Sequence, residues 1–477
     1  MLFNSFNFWL VFPLIFIIYW SIPSKYNSAR NRCLLMISYL IYMNWKPAFA
    51  IALLGITLIT YIGALVITDK KESRKKLLCW FFTLTSLLPL LIFKYYNFLN
   101  DNITRVLQEC NLHITLPGLN IAIPIGISFF TFQAVGYLLD VYHKKIQAEK
   151  NFWNYAIFVS FFPQIISGPI STAKDLMPQF KTAHQFNYTQ AREGLQILLW
   201  GMFLKVAFAD RLGIYVDAVY NEYEYYNGIS CLIASVFYSF QIYGDFAGYS
   251  LMAMGISKLL GFNLINNFNR PYFASSITDF WKRWHISLTR WLTTHIYINL
   301  GGNRCSKARQ YSNIMITFLV SGLWHGANWT FIIWGVIHGF LQILEKILGL
   351  DPKGKKKSIL PNSQIVILRP IRIISTFILI NFAWIFFRMP SISDAANVIT
   401  KILTLSPGVQ QNISFPAIHL LLFMIVFITE ISIEYNLKFK QLFERKLIIR
   451  WTCYLLLFCL TITYGILDSG QFIYVSF

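Results

Sequence analysis

Apolar runs of about 20 residues, the length that crosses roughly 30 Å of hydrocarbon, recur along this chain from Phe8 to Leu467 with short polar connections between them. The pattern predicts an all-α polytopic membrane protein. Spans are expected near 3–20, 33–44, 47–67, 77–99, 121–142, 193–212, 229–256, 373–389, 415–436 and 451–468. The first of these has no basic segment ahead of it and no small-residue cleavage site after it, so it reads as a retained span rather than a signal peptide. Nothing is left over for a sizeable water-soluble core, and 1–477 reads as a single membrane domain.

Two places break the rhythm. The stretch 155–170 is short, has basic segments on each side, and carries Pro163 and the pair Gly168-Pro169, which interrupt a helix. It is expected to be re-entrant. Irregular backbone at membrane depth is tolerated only where protein or a water-filled cavity satisfies its polar groups, so the segment points to an internal chamber. Further on, the apolar run 314–323 is too short to span; the polar break Trp324-His325-Gly326-Ala327-Asn328 follows, then a longer apolar run to Leu350. This places His325 at depth, at the tip of a broken helical hairpin. No internal repeat is discernible.

Composition and charge refine the picture. Hydrophobic residues make up 56% of the chain and aromatic residues 17%, as the polytopic class requires. The net charge of +20 comes from 41 Lys and Arg dispersed through short connections, which is a topology signal and not a nucleic-acid-binding surface. Loops 25–32, 70–76, 144–150, 353–372 and 438–450 are basic and expected inside; 44–46, 100–120, 213–228 and 390–414 are nearly free of Lys and Arg and expected outside. Both termini then face outward. The segment 258–309 holds eight basic residues, one acid (Asp279), and the aromatics Phe280, Trp281, Trp284 and Trp291, which suits the inner membrane interface. The seven cysteines contain no CxxC pair and imply neither a disulfide framework nor a metal site.

Three histidines sit near the broken hairpin: His285, His325 and His338. An ionisable side chain at membrane depth is a functional hypothesis by default, with interhelical hydrogen bonding as the plainer alternative. His338, seated in a regular apolar run, takes the plainer reading. His325 differs: Gly322 and Gly326 flank it, Asn328 follows, and the helix break frees backbone N–H groups that can stabilise an oxyanion. Acyl transfer to a hydroxyl fits, with His325 as the base that takes the proton during attack. No Gly-x-Ser-x-Gly elbow, Walker loop, dinucleotide glycine fingerprint or His-Glu-x-x-His occurs. His285 and His325 alone are too few for catalytic zinc, so no metal is expected. The competing class is a transporter or flippase of a lipid-linked intermediate, which also needs broken helices and basic inner loops; the lack of a repeat between halves weighs against it.

Several segments together resemble the membrane-bound O-acyltransferases, within them the branch that acetylates bacterial polysaccharides such as alginate and peptidoglycan. They are Pro124-Ile-Gly-Ile-Ser-Phe-Phe-Thr-Phe-Gln133, Phe162-Pro-Gln-Ile-Ile-Ser-Gly-Pro169, Gly244-Asp-Phe-Ala-Gly-Tyr-Ser250, Asn269-Arg-Pro-Tyr272, Phe280-Trp-Lys-Arg-Trp-His-Ile-Ser-Leu288, Ser321-Gly-Leu-Trp-His-Gly326 and Phe472-Ile-Tyr474. The resemblance implies eleven to twelve transmembrane helices, plus re-entrant and interfacial ones, around a central chamber. The catalytic core would be about 121–350, with additional C-terminal helices about 373–468. It implies that His325 is the catalytic histidine and His285 the second functional position. Arg283, Arg290, Trp324, Asn328 and Asp245 stand as candidate substrate-binding residues, with structural ion pairing the alternative for Asp245, Arg270 and Arg283. By this analogy the enzyme holds no bound cofactor, and the donor is acetyl-CoA or another acyl thioester drawn from the cytoplasm. Arg283, Arg290, Arg304 and nearby lysines could attract its phosphates. The implied partners are membrane lipids, an extracytoplasmic SGNH-type acetyltransferase and a polysaccharide acceptor, at a bacterial inner membrane. D-alanyl transfer to a cell-envelope polymer is the close alternative; the helices after Arg372 favour the polysaccharide branch. Lys282 stands where the family pattern leads one to expect Arg.

Overall fold

The computed structural model describes residues 2–112, 117–350, 362–409, 417–437, 446–467 and 473, and no strand occurs among the described residues. The helices are α1 (Phe6–Ser21), α2 (Asn27–Met43), α3 (Phe49–Thr68), α4 (Glu72–Leu90) and α5 (Tyr96–Glu109), the last two joined by a π-turn at Leu91–Tyr95. Then come α6 (Ile127–Tyr142), α7 (Phe152–Ser160), α8 (Phe162–Ile165), α9 (Ala173–Lys181) and α10 (Tyr188–Met202), a π-segment at Phe203–Ala209, α11 (Asp210–Asn221) and α12 (Gly228–Leu259). The rest are α13 (Ile277–Arg283), α14 (Ile286–Leu292), α15 (Lys307–His325), α16 (Trp329–Ile347), α17 (Asn362–Arg388), α18 (Ile392–Thr404), α19 (Ala417–Glu434) and α20 (Leu447–Tyr464).

Among the described residues six helices are long and apolar enough to cross a membrane: Phe49–Thr68, Glu72–Glu109, Gly228–Leu259, Trp329–Ile347, Leu368–Arg388 and Leu447–Tyr464. The chain is a multi-pass membrane protein. The spans expected at 3–20 and 33–44 form a pair bent by 100°, and the one expected at 193–212 is interrupted by the π-segment.

The chain folds as two compact units, one built from Met1–Gln196 and Ala253–Ile265, the other from Ile197–Met252 and Asn266–Ser476. In the first unit, 155–170 is a broken pair of short helices, α7 and α8, buried throughout. Several of the polar groups in and around it find protein partners, as burial demands. Gln164 Nε2 donates to Gln133 Oε1 at 2.8 Å, Gln133 Nε2 donates to the Phe158 carbonyl, and Phe162 N donates to Ser38 Oγ at 3.2 Å. Gly126 starts α6 at φ 75°, and a Cβ there would run into the Ile165 carbonyl, so this junction admits only glycine. Lys144 Nζ meets Glu72 Oε1 at 2.6 Å, joining two basic loops assigned to the same face.

In the second unit, α15 and α16 form the expected hairpin. Gly322 lies against the Phe331 carbonyl and Gly335 against that of Phe318, and any Cβ would force the helices apart. This is the small-residue packing by which membrane helices approach closely. Loops given the same face by their charge also gather here. Lys401 Nζ donates to the carbonyls of Tyr223, Glu224 and Tyr226 at 3.1, 2.6 and 3.0 Å, and Gly228 N donates to the Ser406 carbonyl at 2.9 Å. The connection 390–414 therefore carries structure that its charge pattern hides: α18 is capped by Ser391 and buries Ala395 and Val398. The basic run 353–357 lies outside the described residues.

This arrangement makes sidedness testable. In a cysteine-free background, Ser406→Cys should react with an impermeant maleimide on intact cells, and Lys71→Cys only after permeabilisation. Labelling of both from one side would refute the topology.

Candidate active site

α13 begins where Ser276 Oγ accepts from Asp279 N at 3.0 Å, and ends at Arg283. Two residues later His285 takes a left-handed conformation, φ 43°, before α14 starts. Such a backbone is uncommon for a side chain of this size and persists only when its surroundings hold it. Here Ile286 N donates to the Asn267 carbonyl at 2.9 Å and Thr289 N donates to the His285 carbonyl at 3.0 Å. The His285 ring is fully buried.

α15 ends at His325 because Gly326 turns extended, at φ −163°. A Cβ at Gly326 would strike the Phe331 ring. Gly326 N donates to the Gly322 carbonyl at 3.3 Å, so this N–H, expected to be released by the helix break, is committed to the helix end. Asn328 caps α16 through Thr330 N at 3.1 Å, and its Nδ2 donates to the Pro390 carbonyl at 2.8 Å. Both ends of its side chain therefore fix the hairpin tip.

The histidines are linked through tryptophans. The Trp324 ring lies 5.0 Å from His325 and 5.8 Å from His285, centroid to centroid. Trp334 lies 4.9 Å from His325 and 4.7 Å from His338. Phe387 closes on His325 at 5.1 Å and Phe246 on His285 at 4.7 Å. His338 Nδ1 accepts from Trp281 Nε1 at 3.3 Å. A low-dielectric box of this kind strengthens any charge interaction formed inside it. Along the hairpin runs a cavity of about 200 Å³, whose lining includes Trp281, Thr293, Thr317, Phe318, Ser321 and Lys346.

The structure thus brings His285, Trp324 and His325 together. Other candidates are engaged elsewhere. Arg283 pairs with Asp279 at 3.1 Å and with Glu434 at 3.0 Å, and Glu434 also receives Arg270 and Arg369, each at 2.8 Å. The arginines come from two segments assigned to the inner face, 258–309 and 353–372, and Glu434 from the end of the span expected at 415–436. Asp245 pairs with Lys205 at 2.7 Å and accepts from Ile473 N at 2.8 Å. Arg290 is exposed on α14. Asn267, Trp334, Phe387 and Glu434 belong to this architecture without having stood out in the sequence. For Trp334 the available signal was its place in the apolar helix that follows the Trp-His-Gly break; Phe387, on α17, reaches the break only through tertiary packing.

Fold and site together define an all-helical membrane protein with two buried histidines sharing one tryptophan at a helical break. Residues 78–350 match the MBOAT, membrane-bound O-acyltransferase family, and the chain belongs to that family. It is 35% identical over 401 residues to a probable alginate O-acetylase of Pseudomonas aeruginosa, covering 83% of this chain and 73% of that one. It is also 35% identical over 393 residues to a peptidoglycan O-acetyltransferase of Helicobacter pylori, covering 77% and 72%. Similarity to a teichoic acid D-alanyltransferase of Lacticaseibacillus rhamnosus is lower, 29% over 258 residues, covering 50% and 63%. The chain is a membrane O-acyltransferase.

Proposed function

We propose that the enzyme takes acetyl from a cytoplasmic thioester, acetyl-CoA in the simplest case, and passes it across a bacterial inner membrane for O-acetylation of a polysaccharide. His325 acts as the base and His285 accompanies it. Arg290, Trp324 and Asn328 shape the surroundings, while Arg283 and Asp245 act through the ion pairs described above. An extracytoplasmic SGNH-type partner completes the transfer, and the N-terminus faces outward.

The observation that carries this reading is His325 at the tip of a glycine-packed hairpin, buried inside an aromatic box. A base in that position can take a hydroxyl proton as the oxygen attacks the thioester carbonyl. The cavity beside the hairpin supports the donor's route. Lys346 lines it near the end of α16, and Ser321 lines it one helical turn before His325. The acetyltransferase relatives match over most of the chain whereas the D-alanyl relative matches over half, which favours acetyl.

Sealed membrane vesicles of both orientations, given radiolabelled acetyl-CoA, test the donor and its side. Thiol release is expected only when the inner face is exposed. Release solely from the opposite face would reverse the direction, and none from either would refute acetyl-CoA as donor.

A further inference from the structure

We propose that Asn267 is the positioning residue that sets the tautomer of His285, and so decides which ring nitrogen carries the lone pair in the reaction. This rests on His285 belonging to the reaction, as proposed above.

Asn267 lies between α12 and α13 and is fully buried. Its Nδ2 donates to Ser250 Oγ on α12 at 3.4 Å. Its Oδ1 accepts from Ser287 N at 3.1 Å and Ser287 Oγ at 2.9 Å, and lies 3.3 Å from His285 Nδ1. Its backbone carbonyl holds Ile286 N. One asparagine therefore grips the left-handed turn at His285 on both sides.

The direction of the amide follows from chemistry. A backbone N–H can only donate, so the Asn267 atom facing Ser287 N must be the oxygen; the flipped amide would set two donors against each other. The oxygen is an acceptor with no hydrogen. If His285 Nδ1 carried a lone pair, two acceptors would oppose each other at 3.3 Å. Nδ1 therefore holds the proton in the neutral ring, and the basic lone pair sits on Nε2. A histidine's second nitrogen commonly fixes its tautomer through such a bond. The rings of Phe246 and Trp324 lie against His285. Among the charged and titratable groups on the packed elements are Asp245, tied to Lys205, with Tyr243 and Tyr249 on α12; Arg283, tied to Asp279 and Glu434, on α13; Arg290 on α14; and His325 on α15.

Three variants at matched membrane abundance, each checked as a monodisperse species in detergent, decide the matter. Asn267→Leu keeps the branched skeleton but removes the acceptor. It should lower kcat by about 10- to 100-fold, the scale of losing a partner that orients a histidine ring, with the donor KM unchanged. Asn267→Asp keeps the acceptor and therefore the tautomer, so turnover persists at high pH. Its carboxylate favours the imidazolium, which then deprotonates only at higher pH, so the acid limb of kcat moves upward. Equal and pH-independent losses in both variants, or a leucine variant indistinguishable from wild type, would overturn the inference. If the leucine variant does not fold, an aspartate variant with an unshifted acid limb overturns it equally. His285→Asn separates the two levels: wild-type turnover there sinks the functional reading, whereas an inactive His285→Asn beside an unaffected Asn267→Leu sinks only the tautomer assignment.

Discussion

Replacing His325 with alanine should leave the enzyme in the membrane and lower acetyl turnover by about 10²- to 10⁴-fold, the usual worth of a positioned proton-transfer group. The side chain ends α15 inside a box of Trp324, Trp334 and Phe387, and none of these rings can take over as a base. His325→Gln keeps the space filled and should be equally inactive, which separates loss of the base from collapse of the box. His285→Asn retains a hydrogen-bonding side chain but cannot act as a base near neutral pH, and partial activity marks it as the companion. Radiolabelled acetyl-CoA turnover by the variants, at matched abundance, is the measurement. Near-normal His325→Ala with inactive His285→Asn would reverse the two roles. Activity in both would make the Trp-His-Gly break a structural feature.

That hairpin is legible in the sequence because everything that makes it is local. Gly322, His325, Gly326 and Asn328 fall within seven residues, between two apolar runs. The break at 155–170 is readable for the same reason, since Pro163 and Gly168 punctuate a short apolar stretch. What holds His285 is hidden. Asn263, Asn266, Asn267 and Asn269 share an aperiodic segment and look alike, and only tertiary contact with Ser250 and Ser287 singles out Asn267. His338 reads as an ordinary helix residue until Trp281, on a separate helix, is placed against it. α18 is obscured differently. It lies inside a connection read only for its charge, and its one cation, Lys401, turns inward to hold three carbonyls. The arginines mislead through an assumption: basic residues near an inner face suggest phosphates, yet Glu434, the last residue of α19, already draws Arg270, Arg283 and Arg369 together.

Lys205 poses the same problem inside the core, and its removal should have the largest effect on stability. It sits in the π-segment at Phe203–Ala209, fully buried, with its Nζ 2.5 Å from Asp210 Oδ1 and 2.7 Å from Asp245 Oδ1. Both carboxylates are themselves almost wholly buried. Lys205→Met deletes the shared cation and leaves two acids facing each other in a low-dielectric interior. Breaking a buried ion pair from one side costs about 3–5 kcal/mol, so the variant should be poorly folded and thinly expressed. Replacing the whole group by neutral side chains removes the stranded charges as well. Lys205→Met combined with Asp210→Asn and Asp245→Asn should therefore regain much of the lost stability, because a neutral group in place of a complete buried ion cluster is often close to isoenergetic. Thermal unfolding in detergent, followed by monodispersity, compares the three forms. A single variant as stable as wild type, or a triple variant no better than the single one, would show that the cluster does not hold this part of the fold. Turnover by a recovered triple variant then fixes the role of Asp245: retained activity makes it a structural anchor for α12 and the chain at Ile473, and lost activity at full stability makes it part of the reaction.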